Sequence, residues 1–423
     1  MYDERKGRYM FDELIKHLSD TNVFTESLET LTSNLSVNSI IVCIMVIFTV
    51  IGGIDKLRGN KLGYGGKFDE GFNTMGPLAI CMVGIISLTP VLKLTLEPVI
   101  SPVYELFGAS PAMFAGTILA NDSGAYSLAV QMAEGDLAIA SFSGLILGSM
   151  MGVMIVGIIP LALSILKKED MPYFSAGILV GIITIPLGCI VGGLAMNFTP
   201  YKIGFAKIMI NLVPVIIMAA VIASAMWFNP LKVMKIFDVV GRVILGMITA
   251  GTAIAIFQYF TGIRFPLFNL MVEPMAEGQP SPLLESLMVV GNIALILTGA
   301  FPLVEWITRT FKRPLSALGR KMGMNDTACA GLVATLASII PTFGIVKDMD
   351  PKGKFLNMAF GVSAAWVFGD HLGFTAGVNP DMVFPVIVGK LTAAVSALFL
   401  AYALSGTILP KIEEKIIRAA SEK

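Results

Sequence analysis

Charged residues are scarce in this chain, and their scarcity excludes a water-soluble globule. They make up only 14% of the 423 residues, against about 25% in a typical soluble domain. The 30 basic and 30 acidic side chains are too few to cover the water-facing surface of a soluble protein of this length. The sequence therefore predicts a protein whose solvent is a lipid bilayer.

Histidine and cysteine are rare as well, which argues against metal and disulfide chemistry. The chain has two histidines, His17 and His371, too few for a multi-histidine centre, so we expect no metal and no cofactor. The net charge is zero, and the sequence has no basic patch among aromatic residues. Binding to a nucleic acid, whose phosphates attract basic surfaces, is therefore not expected. Neither a disulfide framework nor a zinc site is expected of the four cysteines, which stand far apart within apolar runs: Cys43, Cys81, Cys189 and Cys329.

Long apolar runs are abundant instead. A membrane-spanning helix needs about 20 mainly apolar residues, because lipid offers its backbone no hydrogen-bond partner. The third and ninth runs are interrupted, at 121–124 (Asn-Asp-Ser-Gly) and 340–344 (Ile-Pro-Thr-Phe-Gly), so each predicts a helix, a break and a short return. Eleven runs qualify: 37–54, 76–97, 111–130, 137–166, 172–197, 203–228, 236–260, 284–308, 326–346, 355–378 and 382–409.

The sequence also resembles itself at an offset of 215 residues, which places Glu70 on Glu285 and Gly76 on Gly291. Further matches in the same order indicate a duplication, as in transporters built from repeats. We expect one membrane repeat over 37–200 and a second over 236–410, joined by a linker helix at 201–235. A polar N-terminal extension over 1–36 and a cytoplasmic tail over 411–423 flank them.

Basic loops indicate how the halves are oriented, because cytoplasmic loops are rich in lysine and arginine. If runs three and nine enter and leave on one side, the basic loops after runs one, four, six, eight and nine all face the cytoplasm. We therefore predict an all-α polytopic membrane protein with about nine crossing helices and two re-entrant hairpins. An odd number of crossings separates the repeats and inverts the second one. The alternative is eleven simple transmembrane helices.

Ionisable groups inside apolar runs are functional candidates, because placing one in lipid costs about 2.5 to 3.5 kcal/mol. Asp122 lies at the break of run three, with Asn121 and Ser123 beside it and Tyr126 one helical turn later. The carboxylate suits a substrate ammonium, and the amide and hydroxyl suit the other polar end of the substrate. The alternative is a helix-capping aspartate in a water-filled vestibule.

A second polar group lies in runs ten and eleven. Asp370 and His371 stand between two glycines, Trp366 precedes them by one turn, and Lys390 lies well inside run eleven. We predict substrate contacts at Trp366, Asp370 and His371. An internal ion pair among Asp370, His371 and Lys390 is the alternative.

Two glutamates occupy equivalent positions in the repeats, since Glu70 heads run two and Glu285 heads run eight. One interpretation makes them ion-pair or gating residues, together with Lys390. The other is that helix N-termini favour carboxylates.

Four motifs resemble one known family. They are 68–76 (FDEGFNTMG), 110–117 (SPAMFAGT), 143–152 (SGLILGSMMG) and 369–374 (GDHLGF). In this order they resemble the ethanolamine permease of bacterial ethanolamine-utilisation operons. The resemblance implies a multi-pass permease of the cytoplasmic membrane that admits ethanolamine for breakdown inside a bacterial microcompartment. It assigns no residue roles, and the extension over 1–36 departs from the family pattern.

The residues and the resemblance predict a permease, not an enzyme, that imports ethanolamine as the charged ammonium by facilitated uniport. The alternatives are an ion-coupled transporter of another small amine, an ion channel, and an intramembrane enzyme, for which the sequence offers no nucleophile motif on a glycine-rich elbow. The expected partners are a small amine and the lipid bilayer, in the bacterial inner membrane. The sequence leaves open whether the protein forms a homo-oligomer.

Overall fold

The computed structural model describes residues 13–17, 19–33 and 35–421, and the regular structure in these residues is entirely helical. Residues 1–12, 18 and 34 of the predicted polar extension and the last two residues of the predicted tail lie outside the described residues. In the described part of the extension, the helix α1 (Thr21–Ser33) is exposed, and residues 13–17 are helical as well.

Within the described residues, eight helical stretches are long and apolar enough to cross a membrane. This confirms the predicted all-α polytopic membrane protein. The helices that follow α1 are α2 (Val37–Leu57), α3 (Tyr64–Asn73), α4 (Met75–Glu105), α5 (Met113–Ile118), α6 (Ala125–Met132), α7 (Leu137–Ser141), α8 (Ile159–Ile165), α9 (Met171–Ala195), α10 (Phe205–Phe228), α11 (Pro230–Thr261), α12 (Pro282–Lys321), α13 (Asp326–Ala337), α14 (Ile339–Ile345), α15 (Pro351–Ala364), α16 (Asp370–Val378) and α17 (Val383–Ser421). Two π-helices, Phe142–Gly152 and Met154–Ile158, connect α7 to α8.

Runs three and nine are interrupted, as their polar residues predict. In run three, α5 and α6 are separated by an extended Ala120, a 3₁₀ turn over Asn121–Ser123 and a left-handed Gly124 with φ of +96°. In run nine, the break lies at the extended Ser338, two residues before the predicted position. None of these four short helices is long enough to cross a bilayer alone. That each pair returns to the same side stays a prediction.

Run ten differs from the continuous helix that its composition predicts. Residues 365–369, between α15 and α16, are not helical, and Trp366 has a left-handed φ of +58°. Their backbone is satisfied from another part of the chain, because Trp366 N–H donates to the Thr335 carbonyl at 3.3 Å and Phe368 N–H to the Leu336 carbonyl at 3.0 Å. The described chain therefore has eight long apolar stretches and one broken run in place of nine continuous helices.

The same order of elements occurs twice. Two long apolar stretches, an interrupted run and two further runs occupy 37–198 and recur over 230–421, with α10 between them. The buried centre is the π-helix Phe142–Gly152, in which every residue is buried and which packs against α5 and α6. The duplication, its boundaries and the inversion of the second half stay predictions.

Cysteine labelling tests the inversion. In the hairpin arrangement, Ser110 before α5 faces outside, whereas Ala317, which is exposed in the basic end of α12, faces the cytoplasm. In a variant without the four native cysteines, an impermeant thiol reagent added to whole cells should label Ser110→Cys and spare Ala317→Cys. Permeabilised cells, in which both positions react, are the control. Equal labelling of both positions in intact cells would exclude the inverted arrangement.

Candidate substrate site

The break between α5 and α6 carries an unpartnered polar side chain in the interior. Asn121 is fully buried, and within the described residues neither polar atom of its amide has a hydrogen-bond partner. Asp122 is half-buried, and its carboxylate accepts a hydrogen bond from Ser123 Oγ at 3.1 Å. Because a buried polar group without a partner costs free energy, the Asn121 amide is suited to a ligand.

A π-helix forms the wall behind this break. Phe142–Gly152 contains 11 residues, although π-helices are usually single-turn bulges, frequently at functional sites. Gly148 permits close approach, since a Cβ atom there would lie 3.3 Å from the Asn121 backbone nitrogen. The carbonyl of the next residue, Ser149, accepts a hydrogen bond from Lys390 Nζ at 2.5 Å. The π-helix therefore contacts both the break and the buried lysine.

Lys390 is fully buried on α17, and its second contact is with histidine. Its Nζ atom lies 3.0 Å from Nδ1 of His371, whose ring centroid is 5.6 Å from that of Trp366. No ion pair in the described part of the chain includes Lys390. Of the alternative ion pair predicted among Asp370, His371 and Lys390, the structure forms the contact between His371 and Lys390 and leaves Asp370 apart.

Two carboxylates and one ammonium act on one another in this interior. Asp122 interacts electrostatically with Lys390 and with Asp370, which is half-buried at the start of α16. Asp370 also interacts electrostatically with Glu70. Within the described residues neither Asp122 nor Asp370 takes part in an ion pair, so a bound cation could serve as the partner of either carboxylate.

Tyr126, one turn after Asp122, lines a cavity of about 330 Å³. Its hydroxyl accepts a hydrogen bond from Asn379 Nδ2 at 3.4 Å, and the same Nδ2 atom lies 3.3 Å from Ser141 Oγ. Sequence reasoning missed Ser141 and Asn379. The Asn-Pro pair at 379–380 was the available signal, since such pairs mark turns between helices. The cavity is large enough for a small amine.

One of the two predicted glutamates, Glu285, lines the same cavity. Glu285 lies in the first turn of α12, where a helix N-terminus favours a carboxylate, and it also lines the cavity. Pro90 and Ile86 line it too, and because proline has no N–H, the Ile86 carbonyl lacks its usual helical donor. Glu70, in contrast, is exposed and paired with Lys67 at 2.6 Å.

A second cavity, of about 460 Å³, shares no lining residue with the first. Asp136 lines it, accepts a hydrogen bond from Ile139 N–H at 3.2 Å and is paired with Lys207. Burial raises the pKa of Asp136, but the hydrogen bonds from Lys207 and Ile139 outweigh burial, and the pKa is lowered overall. Because the Asp136 carboxylate is already paired with Lys207, this cavity is less suited to bind an ammonium than the break that carries Asp122.

The eight membrane-crossing stretches and the charged groups that they enclose are typical of multi-pass membrane transporters. The comparison with known families is more specific. Residues 37–404 match the family described as "Ethanolamine utilisation protein, EutH", and the chain belongs to that family. The resemblance found in the sequence motifs is thereby confirmed.

The chain matches its curated relatives over nearly the whole of their length. The chain is 47% identical to the "Probable ethanolamine permease EutH" of Listeria monocytogenes, over 90% of this chain and 98% of the relative. It is 43% identical to the protein of the same name in Escherichia coli, over 88% and 96%. It is 42% identical to "Uncharacterized protein YxeR" of Bacillus subtilis, over 86% and 94%. No solved structure matches the chain.

Proposed function

We propose that this protein is a permease of the bacterial cytoplasmic membrane that imports ethanolamine as its charged ammonium, by facilitated uniport. The observation that carries the proposal is the break between α5 and α6, where the buried Asn121 amide has no hydrogen-bond partner and Asp122 has no ion pair within the described residues. An ammonium substrate would supply the positive charge that Asp122 lacks. The names of the relatives in Listeria monocytogenes and Escherichia coli support ethanolamine as that substrate.

The second polar group of ethanolamine needs a partner close to the carboxylate, because its hydroxyl lies two carbons from its nitrogen. Asn121 is the neighbour of Asp122 and has a buried amide without a partner. That amide offers one acceptor and two donors to a hydroxyl, whereas Ser123 already donates to Asp122. We therefore assign the ammonium to Asp122 and the hydroxyl to Asn121, with Tyr126, Trp366, Asp370 and His371 around them.

A proton-coupled amine transporter is the second candidate, and the buried contact between His371 and Lys390 favours it. Both side chains bind protons, and His371 lies on α16, which packs against the break that carries Asp122. An intramembrane enzyme is less well supported. His371 Nδ1 faces an ammonium, whereas a general base for nucleophilic catalysis faces a hydroxyl or thiol.

Counterflow in proteoliposomes tests the proposed substrate. Vesicles that contain the purified protein and are loaded with unlabelled ethanolamine should take up labelled ethanolamine with saturable kinetics. Protein-free vesicles measure passive leakage of the neutral amine and are the control. Uptake no faster than in those vesicles would refute the permease, and uptake without saturation would favour a channel.

An asparagine variant tests the hydroxyl contact within the same assay. Asn121→Leu keeps the size of the side chain but loses its hydrogen bonds, which contribute about 1 to 3 kcal/mol when a buried partner is left unmatched. We expect the preference for ethanolamine over ethylamine to fall by about 5- to 150-fold. Asn197→Leu, at an exposed position, should keep the preference. An unchanged preference in Asn121→Leu would refute the assignment.

A further inference from the structure

Lys390 is a basic side chain that is held inside the protein at a fixed place. Its neighbour Gly389 packs against α9, where a Cβ atom on Gly389 would lie only 2.9 Å from the Gly188 carbonyl oxygen. This close helix contact keeps the backbone of α17 in position. The Ser149 carbonyl and His371 Nδ1 then hold the ammonium at 2.5 and 3.0 Å. The lysine is therefore held in the interior, unlike long basic side chains near helix ends, which extend toward water.

A carboxylate-bearing segment, the break that carries Asp122, lies near this ammonium. No ion pair of the described residues includes Lys390. The Ser149 carbonyl that it contacts follows Gly148, where a Cβ atom would lie 3.3 Å from the backbone nitrogen of Asn121, and Asp122 is the next residue, with which Lys390 also interacts electrostatically. Asp122 is also the carboxylate that we assign to the substrate. A substrate ammonium at Asp122 would thus share one negative charge with the ammonium of Lys390.

We infer that Lys390 is a tethered competitor of the substrate cation: its ammonium weakens substrate binding at Asp122 and so permits release on the inner side. This inference rests on the proposed function. In an effective dielectric constant of about 20, two like unit charges repel by at least about 1.4 kcal/mol out to about 12 Å, which is tenfold in affinity. Lys390 is then a positioning residue that sets the affinity of the site.

Neutral substitutions separate this role from a purely structural one. Lys390→Gln keeps a donor for the Ser149 carbonyl and removes the charge. Lys390→Met removes both the donor and the charge, and Lys390→Arg keeps the charge. Because replacing a buried charge with a neutral side chain of similar size is frequently tolerated, the full-length variants are suitable for purification into lipid nanodiscs.

Ethanolamine binding and counterflow are measured on the four proteins. We expect Lys390→Gln and Lys390→Met to bind ethanolamine at least about tenfold more tightly than the wild type, with a lower KM and a lower maximal counterflow rate. Lys390→Arg should bind within about threefold of the wild type. A structural role alone would lower the yield or the thermal stability and would not tighten binding.

Each other outcome counts against the inference. Binding by a folded neutral variant that equals or falls below that of the wild type overturns it. Failure of both neutral variants to fold also overturns it, since Lys390 would then serve the fold. If the wild type does not bind ethanolamine, the proposed function itself fails. If Asp122→Asn binds ethanolamine normally, the ammonium is not held by Asp122, and the present inference fails while the permease function stands. If Asp122→Asn loses binding and the neutral lysine variants do not gain it, only the present inference fails.

Discussion

Replacing Asp122 with asparagine should abolish ethanolamine uptake and leave the protein in the membrane. The amide has nearly the shape of the carboxylate, but it cannot neutralise an ammonium. Removing one partner of a buried charge pair costs about 3 to 5 kcal/mol, which corresponds to a loss of more than about 100-fold in affinity. Uptake of labelled ethanolamine by proteoliposomes, normalised to the amount of inserted protein, measures the effect.

The matched control is an aspartate whose partner is exposed. Asp238 pairs with Arg242 one turn later on α11, and an exposed pair at this spacing contributes less than about 1 kcal/mol. Asp238→Asn should therefore transport at the wild-type rate. If Asp122→Asn also did so, the ammonium contact would have to be assigned elsewhere. Asp370 would be the next candidate, because it shares the electrostatic environment of Asp122.

A membrane potential should by itself concentrate ethanolamine inside proteoliposomes. A charged uniport moves one positive charge inward for each substrate, and an inside-negative potential of 100 mV is worth about 2.3 kcal/mol per charge. The expected accumulation is therefore about fifty-fold, without any coupling ion. A potassium gradient with valinomycin sets the potential, and the labelled substrate retained at steady state gives the ratio.

Protein-free vesicles and vesicles without a potential are the controls for this measurement, since the neutral amine also crosses lipid. Accumulation that follows the potential and changes little with pH supports transport of the charged form. Accumulation that ignores the potential and rises with pH would show that the neutral amine is carried. His371 and Lys390 would then be the groups to test for the proton that is left behind.

The sequence predicted those parts of the fold whose causes are local. The apolar runs and the break in run three follow from composition and from the polar residues at that break. The predicted position of the break in run nine, 340–344, was wrong, because those residues are helical and the break lies at Ser338. The break in run ten was not predicted, because 355–378 is otherwise largely apolar and its polar residues, Asp370 and His371, were interpreted as binding residues within a continuous helix. Its cause is the pair of carbonyls at Thr335 and Leu336, which accept the freed N–H groups. Such a contact between distant parts of the chain has no signature in one sequence.

The candidate site, like the fold, was predictable from the sequence only in its local features. Asp122, Asp370, His371 and Lys390 were found because an ionisable side chain in an apolar run is conspicuous. Which of them touch was not predictable, since the π-helix that turns the Ser149 carbonyl toward Lys390 is a backbone feature. That acceptor replaces the carboxylate that a buried lysine would be expected to have.

The two backbone hydrogen bonds that join 365–369 to the end of α13 make a mechanical linkage. Through them, a shift of α13 along its axis would pull on Trp366 and hence on the His371 ring beside it. Tyr126 is fixed by packing instead: a Cβ atom on Gly144 of the π-helix would lie 2.4 Å from the Tyr126 Cα atom, and the Tyr126 hydroxyl accepts a hydrogen bond of 3.4 Å from Asn379. The Trp366 part of the site is therefore the part that would follow a movement of α13.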